Sequence, residues 1–227
     1  MDVLSMSWRD VLVASWPVDP ETVAARLPDG LAVDTFDGRA WLSVVPFVMG
    51  DVRPLGVPAA VGRTFGELNL RTYVTGDAGP GIYFFNLDAD DTVGVTLARH
   101  LFKLPYYHAE MRVERRGDAI DFRSHRTHDG VAPLDFDATY QPVGAPNPAE
   151  PGSLEAFLLE RYRFYAPGRS SLYCGEVSHD PWRLAHADAT FRANDLFAAN
   201  GFDHPDSVPH LLYSPSVDVT AERVRRV

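Results

Sequence analysis

Two stretches carry side chains whose types and spacing suit chemistry on a small polar molecule. The first is Glu67-Leu68-Asn69-Leu70-Arg71-Thr72-Tyr73-Val74. It alternates strictly, so as a strand it puts Glu67, Asn69, Arg71 and Tyr73 on one face and Leu68, Leu70, Thr72 and Val74 on the other. A carboxylate, an amide, a guanidinium and a phenol in a row offer both acceptors and donors. Neighbours on one strand face lie about 7 Å apart, so one small ligand would touch two or three of them. The plainer alternative is a solvated face of a half-exposed sheet. The second stretch, Tyr106–Val113 after Pro105, has the same parity: Tyr106, His108, Glu110 and Arg112 face one way, and Tyr107, Ala109, Met111 and Val113 the other. A histidine between a phenol and a carboxylate is suited to proton transfer near neutral pH. Its alternative is a cross-strand hydrogen-bonded histidine on an outer surface. Two polar faces of matching kind point to one shared cavity.

Other candidates are weaker. Lys103, the single lysine, could form a Schiff base if burial lowered its pKa. Its place beside Phe102 at an expected helix end equally suits a lysine complementing the helix dipole. His125 and His128 stand three apart, and His179, His186, His204 and His210 are scattered, with no HExxH or CxxC pattern; no metal is expected. Ser170-Ser171 is not a GxSxG elbow. Cys174 has no base at fixed spacing and reads as a buried structural thiol. The glycines of Gly76–Gly81 read as a hairpin turn, because Pro80 removes an amide that a phosphate cradle would use. No cofactor is expected.

The elements that must position these residues are mostly strands. Leu31–Phe36 and Arg39–Phe47 flank Asp37-Gly38, a two-residue hairpin signal. Thr64–Thr75 and Gly81–Asp88 flank the Gly76–Pro80 turn, and Tyr106–Glu114 and Ala119–Arg126 flank Arg115–Asp118. Asp135–Gln141, Ser171–Val177, Arg183–Arg192 and His210–Val219 follow as strands. Three short helices are expected. Asp19 caps Pro20–Arg26. Asp91–Phe102 carries Val93, Leu97 and Leu101 on one stripe, and Ser153 caps a segment with Leu154, Phe157, Leu158 and Arg161. Pro142–Gly152 reads as a long loop inside one domain spanning 1–227, with a two-lobed layout as the alternative. Many strands and few helices predict a mostly β (α+β) fold, a closed or nearly closed barrel with helices packed on it.

Composition narrows the function classes. The chain has 227 residues, 45% of them hydrophobic and 23% charged, which excludes a disordered chain. Twenty-one basic against 31 acidic residues give a net charge of −10, which disfavours nucleic acid and anionic membrane. One cysteine excludes an intrachain disulfide and fits a reducing compartment. No secretory signal is read at Met1–Met6, and no apolar run nears the roughly 20 residues of a membrane span. The expected address is cytoplasmic.

A set of ordered motifs carries a resemblance over nearly the whole chain. They are Trp16-Pro17-Val18-Asp19, Leu27-Pro28-Asp29-Gly30-Leu31, Phe36–Trp41, Glu67–Val74, Gly81–Phe85, Leu104-Pro105-Tyr106-Tyr107-His108-Ala109, Phe157–Tyr162 and His179-Asp180-Pro181-Trp182. Together they resemble the YqjF-like family of uncharacterised bacterial and archaeal proteins, which looks related to the acetoacetate decarboxylase-like superfamily. The resemblance implies a conical, mostly antiparallel β-barrel with an internal cavity. The decarboxylases place adjacent lysines after a proline, one of them the Schiff-base lysine. Here Tyr106 and Tyr107 occupy those positions, and tyrosine cannot form an imine. The superfamily's acidic residue near the cavity corresponds to Glu67.

The expectation is a small-molecule-binding barrel. It is either an enzyme acting on a keto acid or related carboxylate, or a noncatalytic binding or sensing module. A structural or partner-binding role, with the polar faces simply solvated, is the third reading. Glu67, His108 and Tyr106 are the acid/base candidates, and Asn69, Arg71, Tyr73 and Tyr107 the ligand-binding ones. The partner is a small-molecule ligand; homodimerisation is compatible with the sequence but has no signal in it.

Overall fold

The computed structural model describes residues 1–91, 103–168 and 171–227. Its strands are β1 (Asp2–Val18), β2 (Ala32–Val33), β3 (Ala40–Pro54), β4 (Arg63–Gly76), β5 (Gly79–Ala89), β6 (Tyr106–Arg116), β7 (Ala119–Arg126), β8 (Asp135–Pro148), β9 (Arg163–Pro167), β10 (Leu172–His179), β11 (Arg183–Asn194), β12 (His210–Glu222) and β13 (Arg225–Arg226). The helices are short: α1 (Pro20–Ala24), α2 (Leu154–Leu159) and α3 (Leu196–Ala199). None among the described residues is long and apolar enough to cross a membrane.

The strands form one sheet that closes on itself twice. Pairing of β4 with β5 completes a ring running β5-β6-β7-β8-β11-β12-β1-β3-β4. Pairing of β10 with β12, together with β9 beside β5, completes a second ring, β5-β9-β10-β12-β1-β3-β4. The rings share the wall β12-β1-β3-β4-β5, so much of this wall is buried on both faces. Val45, Phe47 and Met49 of β3 point into one core, and Leu42 and Val44 into the other. Closure leaves few free backbone edges, which would otherwise recruit other chains.

A β-bulge in β1 lets that strand serve both cores. Leu4 and Met6 join the first core, with Trp8 packed against it. Asp10 then adopts φ 51°, and the register against β3 shifts between Arg9 and Ala14. Beyond it the odd residues Val11 and Val13 face the first core, while Leu12, Ala14 and Trp16 face the second. An extra residue inserted in one strand reverses the alternation in this way.

A buried ion pair ties the shared wall to the outer strands. Arg126 of β7 donates to Asp88 of β5 through Nε (2.8 Å) and Nη2 (2.9 Å), and Nη2 also donates to Asn86. The Asn86 amide donates to Asp88 Oδ2 at 3.0 Å. The guanidinium lies 4.3 Å from the centre of the Tyr107 ring on β6, the strand between them. Arg126 is 7% exposed and Asp88 0%, so the charges depend on each other.

Several expectations change in detail. The Asp37-Gly38 turn forms, with both residues at positive φ and a Phe36–Arg39 bridge, but Ala32 and Val33 pair with β4 instead of β3. The proline-rich stretch from Pro142 is not loop as far as Pro148. It continues β8 against β11, with Pro142 opposite Ala187 and Pro148 opposite Arg183. Pairing with β7 stops at Tyr140, so beyond it β8 is an edge where a missing N–H is tolerated. The helices are where their caps put them. Asp19 accepts from the Glu21 amide and Ser153 from the Ala156 amide, though α1 ends at Ala24. Strands β1 and β9 and helix α3 were not expected. The helix expected over Asp91–Phe102 lies, but for Asp91, outside the described residues.

Candidate functional site

The ring containing β9 and β10 encloses a cavity of about 300 Å³. Strand β4 supplies its floor. The face Glu67, Asn69, Arg71, Tyr73 points inward and is buried, at 3%, 3%, 6% and 0% exposure. It is therefore not a solvated sheet face. Glu67 and Arg71 line the cavity, with Tyr106 beside them. Register explains the meeting: β6 runs parallel to β5 with Tyr106 opposite Leu87, and β5 pairs with β4, so three adjacent strands bring the groups together.

Glu67 is the chemical centre. Its Oε2 accepts from the Tyr106 hydroxyl at 2.8 Å, and its Oε1 from the Asn69 amide at 3.5 Å. Burial penalises the carboxylate and pushes its pKa up to about 7, against the opposing effect of those two hydrogen bonds. The Tyr106 phenol is pushed well above its ordinary value by burial and by the neighbouring Glu67 charge. The tyrosine is thus a fixed donor, and the carboxyl exchanges its proton near neutrality.

Arg71 is the electrostatic counterpart. Its Nη2 donates to the Leu158 carbonyl at 3.2 Å, and its Nε has no partner. No carboxylate among the described residues pairs with it, although the side chain is buried. The other arginines at the cavity are differently placed. Arg161 donates to Asp34 at 2.8 Å and to the Phe157 carbonyl. Arg163 meets Glu176 at 3.3 Å, and Arg63 binds Asp91 through two nitrogens. Arg53 is held by the carbonyls of Val57 and Asp51. A buried guanidinium without a carboxylate is a ready site for an anion.

The remaining sequence candidates are placed elsewhere. Tyr73 lies deeper, its hydroxyl 2.8 Å from Ser43 Oγ and its ring 5.1 Å from that of Phe157. His108 shares a strand face with Tyr106 but stands beyond the cavity lining, half-buried, with Nδ1 2.9 Å from Thr127 Oγ1. The structure does not bring it to Glu67. Tyr107 is on the opposite face, under Arg126. Lys103 is exposed, and Leu104 next to it lines the cavity instead. Among the described residues no three His, Cys, Asp or Glu side chains converge as metal ligands. Sequence reasoning missed Arg161, Arg163, His179 and Trp182, which reach the cavity from the chain after α2 and around β10. Phe157–Tyr162 and His179-Asp180-Pro181-Trp182, which hold three of these residues, stood out only as motifs of the resemblance and not as a site.

The cost of holding Glu67 gives a measurable signature. Its folded pKa of about 7 lies above the ordinary 4.5. The native state then binds more protons than the unfolded chain between those values, and stability falls as pH rises through that window. The full shift is worth about 3 kcal/mol. Glu67→Gln, which keeps the amide in place of the neutral acid, should remove this slope. Urea unfolding at pH 5 and pH 8 should show the wild type losing about 2–3 kcal/mol relative to the variant. Parallel pH dependences would show that Glu67 is not held this way.

The closed, strand-rich sheet has the acetoacetate decarboxylase-like fold, and solved structures of that class superimpose on the chain. The enduracididine biosynthesis enzyme MppR complexed with pyruvate matches with a TM-score of 0.69 at 16% identity, over 99% of this chain and 90% of that one. An acetoacetate decarboxylase-like enzyme from Sphingomonas wittichii RW1 matches at 0.65 and 16%, over 100% and 94%. Acetoacetate decarboxylase from Legionella pneumophila matches at 0.66 and 12%, over 99% and 87%. Residues 5–218 match the model of the family DUF2071, described as an uncharacterized conserved protein, and the chain belongs to that family. The uncharacterized protein YqjF of Bacillus subtilis is 45% identical over 218 residues, 96% of this chain and 89% of that protein.

Proposed function

We propose that the cavity binds a small carboxylate, a 2-oxo acid or close relative, and that Glu67 moves a proton on it. The observation that carries this reading is the buried Arg71 without a carboxylate partner, two positions along β4 from Asn69 and four from Glu67. The ligand's carboxylate completes the guanidinium. Glu67, ionised, takes the proton from the carbon next to the ligand's carbonyl. The electron pair of that C–H bond forms the C=C bond of an enolate, whose charge Arg71 stabilises, and the Glu67 carboxyl returns a proton to the same carbon. Tyr106 holds the carboxyl in place throughout by its hydrogen bond. No imine is involved, because tyrosines stand where the decarboxylases carry lysines. The binding of pyruvate by MppR, on the same fold, supports the choice of ligand class.

Deuterium exchange tests it. Pyruvate and longer 2-oxo acids incubated with the protein in D2O should lose their C3 proton signals, with the catalysed rate rising to a plateau as Glu67 ionises near pH 7. Glu67→Gln should bind the acid and abolish catalysed exchange. Binding without exchange in the wild type would make the protein a noncatalytic binding or sensing module. No binding of any 2-oxo acid would overturn the proposal.

A further inference from the structure

The cavity is far larger than a three-carbon acid needs, and most of its lining is apolar. About 300 Å³ falls at the lower bound for drug-sized ligands, where a water takes up about 30 Å³ of liquid. Arg71 and Glu67 meet a charged end. Most of the rest of the lining combines aliphatic side chains such as Leu4, Ile82 and Leu87 with the thioethers of Met6 and Met49 and with rings, including Phe84 and Phe164 with centroids 6.4 Å apart. Thioether sulfur packs well on aromatic ring edges.

One wall is built for a flat partner. The rings of Trp8 and Trp182 stack with centroids 5.8 Å apart and planes at 26°. His179 joins both, and Tyr162 stacks on His179 at 4.5 Å from outside. A single carboxylate fixes the assembly: Glu160 accepts from the Trp182 amide at 3.0 Å through Oε1 and from the Tyr162 hydroxyl through Oε2. Thus β1, β10 and the turn before β11 are held in one aromatic wall whose Trp8, His179 and Trp182 line the cavity. Stacked and edge-on contacts select planar rings over chains of equal size.

We infer that the ligand of this site is an aryl-substituted 2-oxo acid, with its carboxylate on Arg71 and its ring against the Trp8–Trp182 wall. The inference rests on the carboxylate reading of the cavity. Calorimetric titration of pyruvate, phenylpyruvate, 2-oxononanoate and 2-phenylethanol into wild type and Trp182→Leu tests both. Phenylpyruvate should bind at least about tenfold tighter than pyruvate, since a single extra methylene in an apolar site gives about 10–200-fold. It should also bind tighter than 2-oxononanoate. In Trp182→Leu the affinity ratio of phenylpyruvate to pyruvate should collapse to about threefold or less. If Trp182→Leu does not fold, the half-buried Trp8→Leu gives the same comparison. Equal affinity for phenylpyruvate and 2-oxononanoate, or preference for pyruvate, would overturn the aryl assignment and leave the carboxylate reading standing. Binding of 2-phenylethanol with none of the three acids would overturn the carboxylate reading itself.

Discussion

Asp88→Ala is expected to destabilise the protein by about 3–5 kcal/mol, the range for breaking a buried ion pair by removing one partner. The loss is large because of what stays behind. Arg126 is 7% exposed and aims two nitrogens at Asp88, and Asn86, its other acceptor, offers no charge. An unfolding free energy for such a chain is about 5–15 kcal/mol, so the variant would sit near the limit of folding at 37 °C. Urea denaturation checks it. The companion Arg126→Met should cost less, because it leaves a carboxylate that Asn86 still partly satisfies at 3.0 Å. A loss below about 1 kcal/mol for Asp88→Ala would mean the pair is solvated in practice.

The second large effect separates binding from stability. Arg71→Met should weaken binding of a 2-oxo acid by about 2–5 kcal/mol, as expected when one member of a buried charge pair is removed. The same variant should unfold at equal or higher urea concentration, since the free protein buries that guanidinium with Nε unpartnered and an apolar side chain of similar length removes the penalty. Titration calorimetry and denaturation on the same two proteins measure both. Unchanged affinity would place the ligand's charged group elsewhere. A stability loss would mean that Arg71 is a structural tie to the Leu158 carbonyl.

The strand alternation at Glu67–Tyr73 was enough to align the inward face, because β4 pairs with β3 without a shift from Phe65 to Thr72, and the irregularity against β5 adds its extra residue, Phe85, to β5. The same rule misled at β6. Tyr106 and His108 do share a face, but the cavity ends between them, and no property of either residue marks that boundary. The first strand was illegible for two reasons: the Asp10 bulge breaks its period, and the shared wall makes Val11–Trp16 apolar on both faces. Periodicity alone cannot tell such an apolar run from a buried helix segment. Prolines 142–148 imitated a loop because an edge strand tolerates them. Arg161 and Trp182 reach the cavity through tertiary contacts with Asp34 and Glu160, at sequence separations that no local pattern encodes.

The common wall of the two rings has a consequence for how ligand free energy is distributed. A ligand in one ring holds β1, β3 and β4, and these strands bury the second core on their reverse face. Occupancy at 100 times the dissociation constant adds about 2.7 kcal/mol to the folded state as a whole. That increment lowers the open population of amides around Phe122 and Phe136, which lie in the second core, as much as of those around Glu67, provided the rings open together. The occupied cavity then acts as a clasp on a barrel it does not enter.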